Sequence, residues 1–282
     1  MTSMALPGRQ HGRLWLEFIR HNGQTAIARQ RSAPPLQVFG LHRLPGSGGA
    51  YLQMVNPGGG LLEGDTAQVV VSVHEGAHVY LTSQAATKVY PAEHGHVSYQ
   101  RTQLHLGPQA ILEYFPLPLI PFARASYVQE TSIHVDSGGI CIIADVLAPG
   151  RTARGECWAY RMVRSRTEGW VAGELALSEQ RLLEPRRHAY GGLGLLEGRT
   201  HLATLAVLTT RPLGPSIAAW NQRLAAICGE HGGISELAYG GLIVRLLGHT
   251  NQEVLRWLDV VHRWIREEGL GLPPLHRYRP FE

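Results

Sequence analysis

The stretch DTAQVVVSVHEGAHVYLT, residues 65–82, decides the fold class of this chain. Apolar side chains alternate with mostly polar ones along its first half, the regularly spaced apolar positions being Ala67, Val69, Val71 and Val73. A period of two is typical of a strand with one buried face, and such a half-buried strand is normally antiparallel. Glu75-Gly76 then predicts a turn, after which Val79 and Leu81 resume the same period. The stretch therefore predicts two half-buried strands, which we expect to be antiparallel.

Similar segments fill most of the first two thirds of the chain. Further strands are predicted at residues 97–106, 111–115, 126–135 and 140–146. Turn signals recur about every ten residues, a spacing that is typical of stacked β layers. The glycine-rich stretch 46–49 predicts a hairpin loop rather than a hinge between domains.

The last third of the chain has helical periodicity instead. A helix is predicted over residues 216–228, and Thr250 with Glu253 has the spacing of a capping box for a second helix. Val254, Leu258, Val261 and Ile265 form one apolar stripe along that helix, which either docks on its own sheet or meets a partner. We expect an all-β fold, a stacked-sheet body with a small C-terminal helical part. It forms a single domain over 1–282, β-rich at 10–212 and helical at 213–270.

Composition excludes several classes of protein. Of 282 residues, 44% are hydrophobic and 17% charged, which is typical of a chain with a buried core. The 26 basic and 22 acidic residues are scattered, so neither nucleic acid nor membrane binding is expected. No apolar run has the length of a signal peptide or a membrane span. Three widely spaced cysteines do not suggest a disulfide framework, and a reducing cytoplasm fits them best.

Residues 56–65, NPGGGLLEGD, form a glycine-rich loop without the chemistry of a phosphate site. No Gly-Lys-Ser/Thr follows, and the next segment is a predicted strand rather than a helix. The glycines therefore predict a tight turn with positive φ or a close backbone approach. Asp65, at the end of the loop, is either a turn-capping carboxylate or a transient metal ligand.

Glu93, His94 and His96 form the most suggestive group of metal-binding residue types. A carboxylate and two imidazoles suit Ni²⁺ or Zn²⁺, but a closed site needs further ligands and ordered support around them. The group is either a loop metal site or an adventitious one. No Cys/His spacing of the structural zinc type is found in the sequence.

Catalytic chemistry has little support in the sequence. A nucleophile elbow of the Gly-x-Ser-x-Gly type is absent. Four carboxylates could converge in the fold, namely Asp65, Glu113, Asp145 and Glu156, but nothing selects an acid/base pair among them. A β-rich hydrolase or lyase that uses such converging carboxylates remains the alternative function.

Four ordered segments resemble motifs of the urease accessory protein UreD (UreH) family. They are NPGGGLLEGD at 56–65, QAATKVY at 84–90, LEYFPLPLIPF at 112–122 and GRTARGE at 150–156. The resemblance runs over roughly residues 10–270, and Pro91 departs from it where the family commonly has an arginine. Its motif residues are Asn56, Pro57, Gly59, Gly60, Gly64, Gln84, Thr87, Lys88, Tyr90, Arg151 and Gly155.

The resemblance implies a β-helix-like body and a function in nickel insertion. UreD-like proteins are cytoplasmic metallochaperone scaffolds rather than enzymes; they bind the apo-urease subunits and UreF, and recruit UreG through UreF. No cofactor is bound tightly, and Ni²⁺ passes transiently through an internal passage. We expect Asp65, Glu156 and Glu113 to line that passage, and Lys88 to fix local structure or repel misplaced cations. A stand-alone metal-binding protein would instead bind Ni²⁺ tightly, whereas we expect weak binding.

Overall fold

The computed structural model describes residues 9–44 and 46–275. Strands form most of this part of the chain, in a sheet of seven and a sheet of ten strands. The strands are β1 (His11–His21), β2 (Gln24–Ala33), β3 (Gln37–Arg43), β4 (Ala50–Val55), β5 (Thr66–Val73), β6 (His78–Ser83), β7 (Thr87–Val89), β8 (Ser98–Leu106), β9 (Ile111–Phe115), β10 (Leu119–Pro121), β11 (Ser126–Val135), β12 (Ile140–Leu147), β13 (Met162–Val171), β14 (Glu174–Leu183), β15 (His201–Thr209), β16 (Gly232–Glu236) and β17 (Gly241–Gly248). The helices are α1 (Ile217–Cys228) and α2 (Asn251–Trp264), the latter continued by a π turn at Ile265–Gly269.

The chain winds back and forth between the two sheets. β5, β8 and β11 lie side by side in the seven-stranded sheet, while β6, β9 and β12 lie side by side in the ten-stranded sheet. Neighbouring strands in each set are parallel to one another. Val69 of β5 therefore lies beside Thr102 of β8, which in turn lies beside Thr131 of β11. This is a solenoid-like stacked-sheet body with a small helical part, and the predicted fold class is confirmed.

The expectation of antiparallel pairing for residues 65–82 is wrong. β5 is parallel to both of its neighbours, β1 and β8, and β6 is parallel to β4 and β9. The alternation itself is correct for β5, whose inward residues are all buried. In a solenoid one strand face packs against the opposite sheet, and the other stays outside. The result is the same alternation that an antiparallel sheet shows, which is why the pattern could not distinguish the two.

Two short strands of the ten-stranded sheet lie off its main path and form a narrow third face of the body. β7 and β10 are parallel neighbours on it, Leu61 makes a parallel bridge to Val89 beside them, and Leu119 of β10 pairs with Leu147. Each complete coil of the body therefore contributes one segment to this narrow face. The face is important below because the sequence motifs lie on it.

Two cores stabilise the molecule. One fills the space between the sheets and includes Phe18, Leu81 and Leu112, and the other lies between the ten-stranded sheet and the helices. The stripe of α2 belongs to the second core, which confirms that this helix docks on its own sheet. The capping box is also confirmed, since Thr250 Oγ1 accepts from the Glu253 amide at 3.1 Å.

The segment 213–270 contains β16 and β17 as well as the helices, so it is not purely helical as expected. Both strands extend the ten-stranded sheet beyond β15. Neither helix in the described residues is long and apolar enough to cross a membrane.

The docking of α2 predicts a large loss of stability for Leu258→Ala. Leu258 is 2% exposed, so the substitution leaves a cavity and should lower the free energy of unfolding by about 2–5 kcal/mol. Urea denaturation of the full chain measures the effect. Arg256→Ala, on the exposed side of the same helix, should change the stability by no more than about 0.5 kcal/mol. Equal effects of the two substitutions would contradict the docking of this stripe.

Candidate functional site

The four motifs meet along the third face of the body. The Leu61 amide donates to Lys88 O at 2.8 Å, and the Tyr90 amide donates to Leu61 O at 2.9 Å. The second motif binds the third in the same way, because the Phe122 amide donates to Val89 O at 2.9 Å. We call the stacked segments 56–65, 84–90, 112–122 and 150–156 the motif column.

The glycine-rich loop at the top of the column is a tight turn, as predicted. Asn56 Oδ1 accepts from the Gly58 amide and Asn56 Nδ2 donates to Gly60 O, both at 2.9 Å. Gly60 has φ +152°, and a Cβ on it would lie 2.3 Å from Lys88 O. Glycine at this position therefore allows the first motif to approach the backbone of the second.

Asp65 closes this loop. Its side chain is 2% exposed, its Oδ1 accepts from the Gln10 amide at 2.8 Å, and its Oδ2 accepts from the Leu62 amide at 2.9 Å. Of the two interpretations left open by the sequence, these contacts favour the capping carboxylate. Asp65 thereby fixes the beginning of β5 against the segment that leads into β1.

Glu156 and Arg151 attach the fourth motif to the third. Arg151 Nε donates to Glu156 Oε2 at 2.8 Å, Arg151 Nη2 donates to Oε1, and the Ala123 amide donates to Oε2 at 3.1 Å. These bonds, chiefly those from Arg151, lower the pKa of Glu156 against the opposing effect of burial. The guanidinium of Arg151 also lies over the Phe122 ring, 4.0 Å from its centroid.

Glu113 belongs to the third motif, but its side chain lies on the face of β9 that α2 covers. It is 0% exposed and contacts His78 Nε2 at 2.8 Å, His262 Nε2 at 2.6 Å and Arg266 Nη1. Burial alone would raise its pKa, but the hydrogen bonds with His262 and His78 prevail, and the pKa lies well below the usual range. This buried cluster ties the ten-stranded sheet to the C-terminal helix.

The three residues of the Glu93–His96 loop do not converge on one point. Glu93 pairs with Arg124 at 2.6 Å, whereas the His94 and His96 amides both donate to Glu63 Oε1 at 2.8 Å. Burial would raise the pKa of Glu63, but these bonds lower it to about 2. Nowhere in residues 9–44 and 46–275 do three or more His, Cys, Asp or Glu side chains form a group that could hold a metal ion.

Two adjoining cavities lie between the sheets, beside the motif column. Their volumes are about 110 Å³ and 40 Å³, each room for more than one water molecule. Both are lined by Thr87, Gln100, Tyr114 and Pro116. Asn56, Gly60 and Lys88 line the larger one, so the first two motifs form part of its wall.

The second cavity has an unusually polar wall for the interior of a β protein. Parallel register places Gln100 beside Gln129, and Thr102 beside Thr131 and then Thr167. All five residues point into this cavity. Sequence reasoning missed them, although their inward positions could be read from the alternation with Leu104 and Ile133.

Asp145 is the only carboxylate on the walls of the two cavities in the described part of the chain. Its Oδ2 lies 3.2 Å from Nη1 of Arg181. Its charge also reaches Tyr114, where burial first and Asp145 second raise the pKa to about 12, against the hydrogen bond to Thr102. Asp65, Glu113 and Glu156, which the sequence suggested as passage residues, are absent from these walls.

The fold and site define a class, that of solenoid-like β proteins whose motifs form the wall of a polar interior. The family model described as UreD urease accessory protein matches residues 10–279. A urease accessory protein UreD of Actinomyces naeslundii is 33% identical over 264 residues, which cover 94% of this chain and 97% of that relative. Another, of Paenarthrobacter aurescens, is 32% identical over 277 residues and covers 95% of each chain. The chain belongs to the UreD urease accessory protein family.

A matched pair of glycine substitutions tests the contact between the first two motifs. Gly60→Ala places a methyl group against Lys88 O and should lower the free energy of unfolding by about 1–3 kcal/mol through overpacking alone. Gly59→Ala also places a side chain at a positive φ, +77°, but its nearest neighbour is Tyr90 Oη at 3.7 Å. We expect Gly60→Ala to be clearly the less stable variant in urea denaturation. If Gly59→Ala is as unstable as Gly60→Ala, the close approach is not what requires glycine.

The buried Glu113 cluster predicts a pH-dependent contribution to stability. Because the pKa of Glu113 is lowered on folding, its stabilisation is complete above the unfolded-state pKa of about 4.3 and is lost as the pH falls through the folded-state pKa. Glu113→Gln leaves Arg266 buried without its carboxylate and should cost about 3–5 kcal/mol at neutral pH. The variant should also lose part of the acid dependence of unfolding.

The matched control for Glu113→Gln is Glu168→Gln, which removes a pair with the half-exposed Arg166. We expect it to change the free energy of unfolding by about 1 kcal/mol or less. Denaturant unfolding between neutral and acidic pH measures both variants. An unchanged acid dependence in Glu113→Gln would show that this carboxylate does not carry the predicted linkage.

Proposed function

We propose that this protein is a urease maturation factor, a scaffold that helps to deliver Ni²⁺ to apo-urease through the interior between its two sheets. In this proposal it acts in the cytoplasm without catalysing a reaction. It binds the apo-urease subunits and UreF, and UreG joins through UreF. Membership of the UreD urease accessory protein family supports the role in urease maturation.

The observation that carries the proposed passage is the pair of adjoining cavities behind the motif column, the smaller of which has a polar wall. A passage must bind an ion well enough to admit it and weakly enough to release it. Side-chain oxygens of Thr131, Gln129 and Gln100 with a single carboxylate, Asp145, suit that requirement better than a closed cage of ligands. Imidazole is the ligand that suits Ni²⁺ better than oxygen donors do, so oxygen atoms alone should hold the ion weakly.

The residues expected at the passage take a supporting role in this proposal. Asp65 and Glu156 are held by backbone amides and by Arg151, so they position the motif column that forms the wall. Glu113 anchors the helices on the outer side of the ten-stranded sheet. The Glu93–His96 loop has its own ion pair and hydrogen bonds at the surface, and we assign it no ligand role.

The geometry does not favour the alternative of a hydrolase or lyase. Asp65, Glu113, Asp145 and Glu156 are each held by a different set of partners. Paired carboxylates that act as acid and base must instead flank one reacting bond. A stand-alone metal-binding protein is likewise not favoured, since no suitable group of ligands occurs in the described residues.

Urease activation in a heterologous host tests the proposed function. The host receives nickel, the urease subunits and the other accessory proteins, with or without this chain. We expect the nickel content and activity of purified urease to depend on the chain. Full nickel content in its absence would overturn the maturation role.

A substitution at the junction of the two cavities tests the passage separately. Gln100 lines both cavities, so Gln100→Phe should narrow the junction, whereas Gln100→Asn keeps the amide oxygen and adds no volume. We expect Gln100→Phe to lower urease activation about tenfold or more, in line with a blocked route for the ion, while co-purification with the partners is unchanged. Gln100→Asn should retain most of the activation. Normal activation by a folded Gln100→Phe protein would exclude this route.

A further inference from the structure

An arginine contacts the carboxylate on the wall of the second cavity. Arg181 lies on β14, and its side chain is only 16% exposed. Its Nη1 lies 3.2 Å from Asp145 Oδ2, and its Nη2 lies 3.4 Å from Thr204 Oγ1. The guanidinium thus bridges the two sheets, and it pairs with the one carboxylate on the described cavity wall.

A second carboxylate lies on the other side of the same guanidinium. Glu179 Oε1 is 4.0 Å from Arg181 Nη2 and 3.3 Å from Arg245 Nε. The side chain of Glu179 is 20% exposed and that of Asp145 is 31% exposed. Arg181 therefore lies between two carboxylates, of which Asp145 lines the second cavity and Glu179 does not.

A divalent cation and this guanidinium compete for the same oxygen atoms. Arginine keeps its charge at every physiological pH, so it cannot leave Asp145 by losing a proton. A metal ion at Asp145 would lie within a few ångströms of that positive charge, where repulsion inside a protein is strong. The ion can bind only if the guanidinium moves away.

We infer that Arg181 is the gate of the interior passage, an internal cation that holds Asp145 until a divalent cation displaces it toward Glu179. The inference rests on the proposed function, because it concerns how the transported ion enters or leaves the same cavity. The negative charge of Asp145 is thus compensated both before and after the exchange, first by Arg181 and then by the cation. Because the cation must displace Arg181, the apparent affinity of the passage for the ion is lower, which favours release.

The surroundings of Arg181 offer places to which it can move. Its contact with Glu179 is already within ion-pair distance on one side. The Tyr160 hydroxyl is buried and has no hydrogen-bond partner among the described residues. The charge of Arg181 acts on that hydroxyl, where it opposes the rise in pKa that burial causes. Both groups are acceptors for a displaced guanidinium.

Nickel binding by the isolated full-length chain tests the gate. Equilibrium dialysis with Ni²⁺ alone compares the wild type with R181Q, R181K and R245Q. R181Q removes the guanidinium that competes with Ni²⁺ for Asp145. It should gain a Ni²⁺ site whose affinity is about tenfold higher than that of any interior site of the wild type. This is the gain expected if Asp145 is free of Arg181 in about a tenth of the wild-type molecules, because the apparent affinity falls in proportion to the fraction that can bind. R181K keeps the charge, and R245Q removes the partner of Glu179 without touching Asp145, so both should bind as the wild type does.

The double variant R181Q/D145N assigns the new site. The gain in affinity should disappear in it, and a gain that persists would overturn the inference. Wild-type affinity in folded R181Q would overturn it as well. If R181Q does not fold, the wild-type chain is titrated with Ni²⁺ and the Arg181 Nε–H signal is followed by NMR. Paramagnetic broadening of that signal at low Ni²⁺ supports the gate, and broadening confined to surface histidines contradicts it.

Urease activation separates this inference from the proposed function. If the wild-type chain supports activation but R181Q binds Ni²⁺ no more tightly, the gate is wrong and the maturation role stands. If R181Q gains the Asp145 site but the wild-type chain does not support activation, the gated cation site stands and the maturation role fails.

Discussion

The parallel stacking of successive coils is the constraint on which the other features of this molecule depend. Because each strand lies beside the equivalent strand of the previous coil, residues that are distant in sequence become neighbours in register. Leu61, Val89 and Leu119 therefore fall on one narrow face, and the four motifs become a continuous column. Three contacts maintain that register: the close approach of Gly60 to the second motif, the capping bonds of Asp65 and the Arg151–Glu156 ion pair.

The same stacking makes the interior polar in one place and apolar elsewhere. Repeated inward threonines and glutamines create a polar zone around Asp145, while leucines and phenylalanine fill the remainder. Polar groups in such a zone are tolerated because water can satisfy them. The buried Glu113 cluster lies on the opposite side of the ten-stranded sheet, where it fixes the helices. In the proposed function, a structural role therefore falls to Glu113 and a transport role to Asp145.

Local elements of the fold could be predicted from the sequence more fully than their arrangement. Alternating side chains and turn residues predicted β9 and β11 within their bounds, and capping residues predicted α2. Parallel pairing could not be predicted, since one buried face produces the same alternation in either arrangement. Asp65, Glu113 and Glu156 do not line the two cavities, and the residues that do could not be identified from the motifs, because Gln100 and Thr131 are single polar residues in ordinary strands.

In the proposed function a divalent cation travels between the two sheets and meets Asp145 there. Anomalous diffraction at the nickel absorption edge, from crystals of the full chain soaked in Ni²⁺, locates the bound ion. We predict an anomalous peak inside the body, within bonding distance of the Asp145 carboxylate, with the Arg181 guanidinium displaced. Peaks found solely at surface groups such as His94 and His96, with the Arg181–Asp145 pair intact, would exclude this route.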